Sequence, residues 1–194
     1  DYVLIPRLLP LNPFKKSEIN LISELGAFEK SKNLLIKNIP SEFFESLNFK
    51  ALKLIKYNKE SWKRRKELPL AIVAKLGFND ELDLSTVFFS YTGSRHRVPC
   101  KIPISEELLR LIGYYIAEGS MDEDNYRISF SFNSKDTEHT EDICKCIQIL
   151  FHFKPSLDDR GNVTYIDICD KVVYLLFSMI LRLPKGARRK SCLL

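Results

Sequence analysis

The sequence predicts an α+β fold: a connector over residues 1–40, a small, mainly helical region over 41–104, and elements in the order α-β-β-α-β-β-α over 105–194. Three observations predict it. Apolar residues recur at helical spacing after Ser41, Ser105 and Lys171. Residues 126–133 alternate between apolar and polar, the period of a half-buried strand. Asp159-Arg160-Gly161-Asn162 has the composition of a tight turn between two strands.

Prolines at 6, 10, 13 and 40 break the first forty residues into short strands and loops. Ser41 is placed to cap a helix running to about Tyr57, with Phe43, Phe44, Leu47, Leu52 and Ile55 behind it. A second helical piece starts at Ser61, turns through Leu68-Pro69-Leu70 and ends at Gly77. Two short helices, a Trp62 anchor and a basic edge resemble a helix-turn-helix in pattern; the plainer alternative is a helical spacer kept soluble by its lysines. Thr86–Tyr91 reads as a strand, Gly93–Arg97 as a basic turn, and Val98–Ile104, with Pro99 and Pro103, as an extended linker.

Ser105 then caps a helix whose first turn holds Glu106 and Glu107, where the helix dipole favours acids. After that helix (105–118) come a strand (126–133), a helix (136–152), two strands (154–159 and 163–169) and a helix (171–182), with room for a very short strand after Gly119. This order implies a mixed sheet covered on one face by helices.

With 194 residues, 45% hydrophobic and 28% charged, the chain can bury a real core. No apolar run reaches the roughly 20 residues of a membrane span, and residues 1–7 lack a signal-peptide pattern, so a soluble, cytoplasmic protein with no membrane partner is expected. The five cysteines show no disulfide framework, and no cysteine or histidine spacing suits zinc. Net charge is uneven: residues 1–104 hold 18 Lys+Arg against 11 Asp+Glu, and the remainder 12 against 14. The basic excess centres on 50–66, where Lys63, Arg64, Arg65 and Lys66 are candidates for contacting phosphates.

Chemistry concentrates in Leu109–Ser120. Gly113 and Ala117 are four apart on one helix face, where small side chains let a second backbone approach closely. Glu118 is the last helical residue, where the dipole is negative and an acid costs about 0.3–1 kcal/mol unless a positive charge compensates. Gly119 ends the helix as a C′ glycine and leaves the carboxylate at the rim. Two such helices packed together would unite two carboxylates, a donor set suited to Mg²⁺.

Leu111-Ile-Gly-Tyr-Tyr-Ile-Ala-Glu-Gly119 resembles the motif of the LAGLIDADG homing endonucleases, matching at Leu111, Gly113, Ala117 and Gly119, with Glu118 in the acidic position. Tyr-Tyr-Ile-Ala-Glu-Gly is similar to the form found in archaeal inteins, and the resemblance covers about 105–194. It implies a saddle-shaped antiparallel sheet in the DNA major groove and strand cleavage across the minor groove that leaves short 3′ overhangs. It makes Glu118, with Gly119 beside it, the metal site. Arg127, Ser129, Ser131 and Asn133 form the polar set of the first long strand, and Tyr165 and Asp167 are groove-face candidates on the second. Ser131 stands where relatives keep a water-orienting glutamine, and Lys190, in a cluster with Arg188 and Arg189, resembles their active-site lysine. Ile116 departs from the family, which often has an acid there.

A single motif supplies one half-site, so the partner is double-stranded DNA together with a second repeat, from a C₂ homodimer or from a C-terminal half outside this sequence. Residues 1–7 are similar to the end of an intein's N-terminal splicing half, yet no Thr-x-x-His block and no His-Asn ending occur. The expectation is therefore an intein's endonuclease region that does not splice, or equally a freestanding endonuclease of related sequence. The alternatives are a non-cutting DNA- or RNA-binding protein on the same scaffold, such as a regulator or maturase, and a helix-turn-helix module whose second half only dimerises.

Overall fold

The computed structural model describes residues 17–26, 28, 33–46, 56–76, 83–91 and 94–185. The first half runs β1 (Glu18–Asn20), α1 (Leu21–Leu25), β2 (Leu34–Lys37), α2 (Ser41–Ser46), α3 (Lys56–Arg65), β3 (Glu67–Pro69), α4 (Leu70–Leu76), β4 (Phe88–Tyr91), β5 (Val98–Pro99) and β6 (Lys101–Pro103). Its described helices are accompanied by strands: β3-β2-β4-β5 form a four-stranded antiparallel sheet, and β1 pairs with β6. The step expected to be a turn between two helices is strand β3, in which Leu68 sits opposite Ile36. The linker expected over 98–104 supplies β5 and β6. Their prolines disguised them, since Pro69 and Pro99 lie on edge strands, where a missing N–H costs no ladder bond.

Alternation fixes the faces of this sheet. Leu34, Ile36, Leu68, Phe89 and Val98 are fully buried, against Leu21, Leu25, Phe44, Leu70 and Val73 from α1, α2 and α4. Asn20 caps α1, its Oδ1 accepting from Ile22 N at 3.0 Å and Ser23 N at 3.3 Å. Helix α3 stops where Lys66 enters the left-handed region at φ 52°, and the Lys66 carbonyl accepts from Ile39 N.

The second half runs α5 (Glu106–Glu118), β7 (Gly119–Asp122), β8 (Arg127–Asn133), α6 (Thr137–Phe151), β9 (Ser156–Arg160), β10 (Val163–Cys169) and α7 (Lys171–Leu175). Helix α7 continues as one π-helical turn, Leu176–Ile180, closed by Leu181 N to Leu176 O at 2.9 Å. The element order is the expected one, and the sheet order is β7-β8-β10-β9, antiparallel throughout. Gly161, at φ 65°, makes the hairpin turn between β9 and β10, where a side chain would be strained. Ser105 occupies the N-cap position of α5 with extended backbone, but its hydroxyl makes no cap bond; Glu106 and Glu107 alone complement the dipole there.

On the helix side, Ile128 and Phe130 of β8 and Ile166 and Ile168 of β10 are wholly buried beneath Leu111, Tyr115, Ile143, Ile147, Leu150 and Val172. Each such side chain contributes about 1.5–3 kcal/mol by leaving water. The two halves share this core. Helix α6 packs against β5 and β6, and α7 against β4, while Leu21 N donating to Cys100 O and Ile104 N donating to Ser17 O tie β6 and its flanks to the start of the first half. Among the described residues no helix is long and apolar enough to cross a membrane.

Candidate nuclease site at the end of helix α5

Helix α5 presents three sides. Leu108, Leu111 and Tyr115 are buried. A second side is tied to α6 through Asp142, which accepts from Arg110 Nη1 and from Tyr114 Oη, each at 2.9 Å. Burial, and then the bond to Asp142, raises the Tyr114 pKa above that of an ordinary phenol. The third side carries Leu109, 53% exposed, followed by exposed Gly113 and Ala117. A Cβ built on Gly113 would meet none of the described residues within 4 Å. A smooth apolar strip on an amphipathic helix is thus left without a cover from the described residues of its own chain.

Glu118 is exposed at the tip of this helix, and the chain passes directly from it into β7. Gly119 ends the helix with extended backbone (φ −89°, ψ 161°), not in the left-handed region that a C′ glycine usually adopts. Glycine is needed there for a different reason: a Cβ would stand 2.4 Å from Tyr115 Cδ2 and 2.7 Å from Tyr115 Cα. Tyr115 cannot yield, because it is buried, donates to Pro184 O at 2.6 Å and packs edge-on against Phe130 and Phe177. The strand therefore starts hard against the helix, and the carboxylate is held at a fixed exit.

That exit opens into a groove of about 530 Å³ lined by Tyr114, Ala117, Glu118, Ser131, Asn133, Asp136 and His139, together with Phe132. The register explains the meeting: Gly119 pairs with Phe130, so Glu118 lies beside Ser131. Glu118, Ser131 and Asn133, singled out separately in the sequence, come together here. Tyr114 comes from α5 itself, one turn before Glu118, whereas Asp136 and His139 carry no signal in the sequence, since only the turn from β8 into α6 brings them to the groove.

The remaining candidates on the sheet share its outer face. Arg127, Ser129, Ser131 and Asn133 alternate with the buried residues of β8, and Tyr165 and Asp167 do the same on β10. Ser131 sits opposite Tyr165 and Ser129 opposite Asp167, with the Ser129 hydroxyl donating to the Asp167 carboxylate. Arg127 Nη2 lies 3.5 Å from Asp122, whose acidity is strengthened first by the hydrogen bond from Asn125. In the first half, Lys63 is bound to Glu45, and Arg65 lies 3.4 Å from Glu67, while Arg64 and Lys66 are exposed. Lys190, Arg188 and Arg189 lie outside the described residues.

Glu118 and the Gly119 carbonyl are hard oxygen donors, which fits Mg²⁺, an ion that retains several waters and takes substrate phosphate oxygens. Among the described residues, no three His, Cys, Asp or Glu side chains gather at one point.

Comparison with known proteins gives two relatives. Over 135 residues, 68% of the chain, it is 29% identical to the DNA polymerase II large subunit of Thermococcus kodakarensis, of which the match covers 7%. Over 74 residues, 38% of the chain, it is 34% identical to an uncharacterized protein of Methanocaldococcus jannaschii, of which the match covers 9%. The chain thus matches less than a tenth of the length of either relative. No protein-family model matches it.

Proposed function

We propose that this chain is the endonuclease region of an intein of the LAGLIDADG type, hydrolysing phosphodiester bonds in double-stranded DNA at a long specific site. The observation that carries the proposal is the placement of Glu118: exposed, at the tip of a helix whose Leu109-Gly113-Ala117 strip is open, and beside Ser131 at the end of a sheet with a polar outer face. A second repeat laid on that strip brings a second acid to the same point. A match inside a much longer DNA polymerase subunit is what a segment inserted into such a host would produce.

In this reading Glu118 and the Gly119 carbonyl hold the magnesium, which when bound supplies Lewis acidity to the phosphoryl group. Ser131 hydrogen-bonds the attacking water, and Lys190 stabilises the charge that develops on the phosphate. The outer sheet face enters the major groove, so that Arg127, Ser129, Asn133, Tyr165 and Asp167 face base edges. Arg64 and Lys66 of the basic first half contact phosphates alongside.

A cleavage assay on a plasmid library with Mg²⁺, comparing wild type with Glu118→Gln, tests the proposal. Wild type should linearise a subset of plasmids and the variant none, with DNA binding retained by both. If both proteins bind tightly and neither cuts, the chain is a non-cutting regulator or maturase on this scaffold.

A further inference from the structure

Resting on that reading, the geometry points to a specific base contact: we propose that Arg160 reads a guanine in the target duplex, with Asp158 and Tyr165 holding its guanidinium ready. Arg160 closes β9 opposite Val163, and Asp158 sits opposite Tyr165, so all of them share the outer face of the sheet. Asp158 Oδ2 accepts from Arg160 Nε at 2.8 Å and lies 2.7 Å from Nη2. The guanidinium carbon rests 5.2 Å from the centre of the Tyr165 ring. One edge of the fork is thus occupied by the carboxylate and one plane is backed by the ring. No described residue occupies the Nη1/Nη2 edge, and its two parallel N–H groups match O6 and N7 of guanine. The side chain is 71% exposed, so the free edge faces outward.

Charge argues for a base edge over a phosphate. The strand residues of this face include Asp122, Asp158 and Asp167 against Arg127 and Arg160, a net of −1. A face that tracked the backbone would be cationic. Carboxylates among base edges instead accept from the amino groups of cytosine and adenine, and a buttressed arginine complements them at guanine. Pinning also removes the rotamer freedom that an exposed arginine would otherwise lose on binding. Arg127 is less well placed, with a single 3.5 Å contact and its Nε buried.

The test is selection of bound duplexes from a randomised pool in EDTA, so that no strand is cut, using the whole 194-residue chain. Wild type should enrich guanine at one position of each half-site. Arg160→Ala should lose that preference by roughly ten- to a hundredfold and leave the other positions alone. Asp158→Ala should lose selectivity at the same position while binding mixed DNA as tightly as wild type or more so, since it removes an acid beside the helix. Placing 7-deazaguanine at that position should weaken wild type and leave Arg160→Ala unchanged. If Arg160→Ala weakens all sequences alike, keeps the enriched guanine and lowers the salt slope by about one, Arg160 is a phosphate contact and this inference alone falls. If wild type enriches no sequence, the inference falls together with the function on which it rests.

Discussion

His96 Nδ1 stands 3.1 Å from the Asp170 carboxylate, and its ring lies flat on Phe153 with centroids 3.9 Å apart. Asp170 is 1% exposed, and its other oxygen accepts from Val172 N and Val173 N at 2.9 and 3.2 Å. One carboxylate thus starts α7 and ties the segment before β5 to the second half. Asp170→Ala should cost about 2–3 kcal/mol, the sum of a lost cap and stranded buried donors. Asp170→Asn, which can keep the cap, should cost less. Urea denaturation of the three proteins checks the order.

The two glycines of the motif should respond in opposite senses. Gly119→Ala pushes a methyl into Tyr115 and should destabilise by about 3 kcal/mol. Gly113→Ala meets none of the described residues and removes a helix-weakening glycine, a gain of about 0.5–1 kcal/mol. Gly113→Arg should leave the monomer folded and weaken self-association, as read by sedimentation velocity over a concentration series.

Glu118 faces the negative end of its own helix dipole. Glu118→Gln should therefore raise thermal stability slightly, by the equivalent of about 0.3–1 kcal/mol at low salt, in the same variant that is expected to lose cleavage. A melting temperature below that of wild type would show that the acid has a structural partner.

Burial pushes the Tyr115 phenol up to about 12, whereas an unfolded tyrosine ionises near 10. Its stabilising contribution is therefore complete below pH 10 and declines as the pH climbs towards 12, because only the unfolded chain releases the proton in that window. Unfolding free energy should fall over pH 10–11, and Tyr115→Phe should reduce that slope. Equal slopes for both proteins would count against a buried, neutral Tyr115.

Legibility in the sequence followed the strength of the periodic signal. Along β8, Ile128 and Phe130 alternate cleanly with Arg127, Ser129 and Ser131, and α5 has both its apolar face and its terminal glycine, so these elements were readable. The strands of the first half were not. Glu67-Leu68-Pro69 and Val98-Pro99 are too short to show a period, and proline at an edge reads as a break. At the site, Glu118 announced itself by opposing the dipole, while His139 and Asp136 depend on a turn geometry that no local pattern encodes. In the sequence Arg160 reads only as a turn residue, since its buttress comes from its own strand and from across the hairpin.

The shared core has a practical consequence for anyone wishing to transplant the second half alone. Strand β1 is sewn to β6, and α6 and α7 lean on strands contributed by residues before 104. Severing the chain at the Pro103–Ser105 step would strip those helices of their backing and expose Cys100 and Ile102, both now sealed from water. Residues 105–185 are not a detachable cassette, and a portable version must carry its proline-studded first half with it.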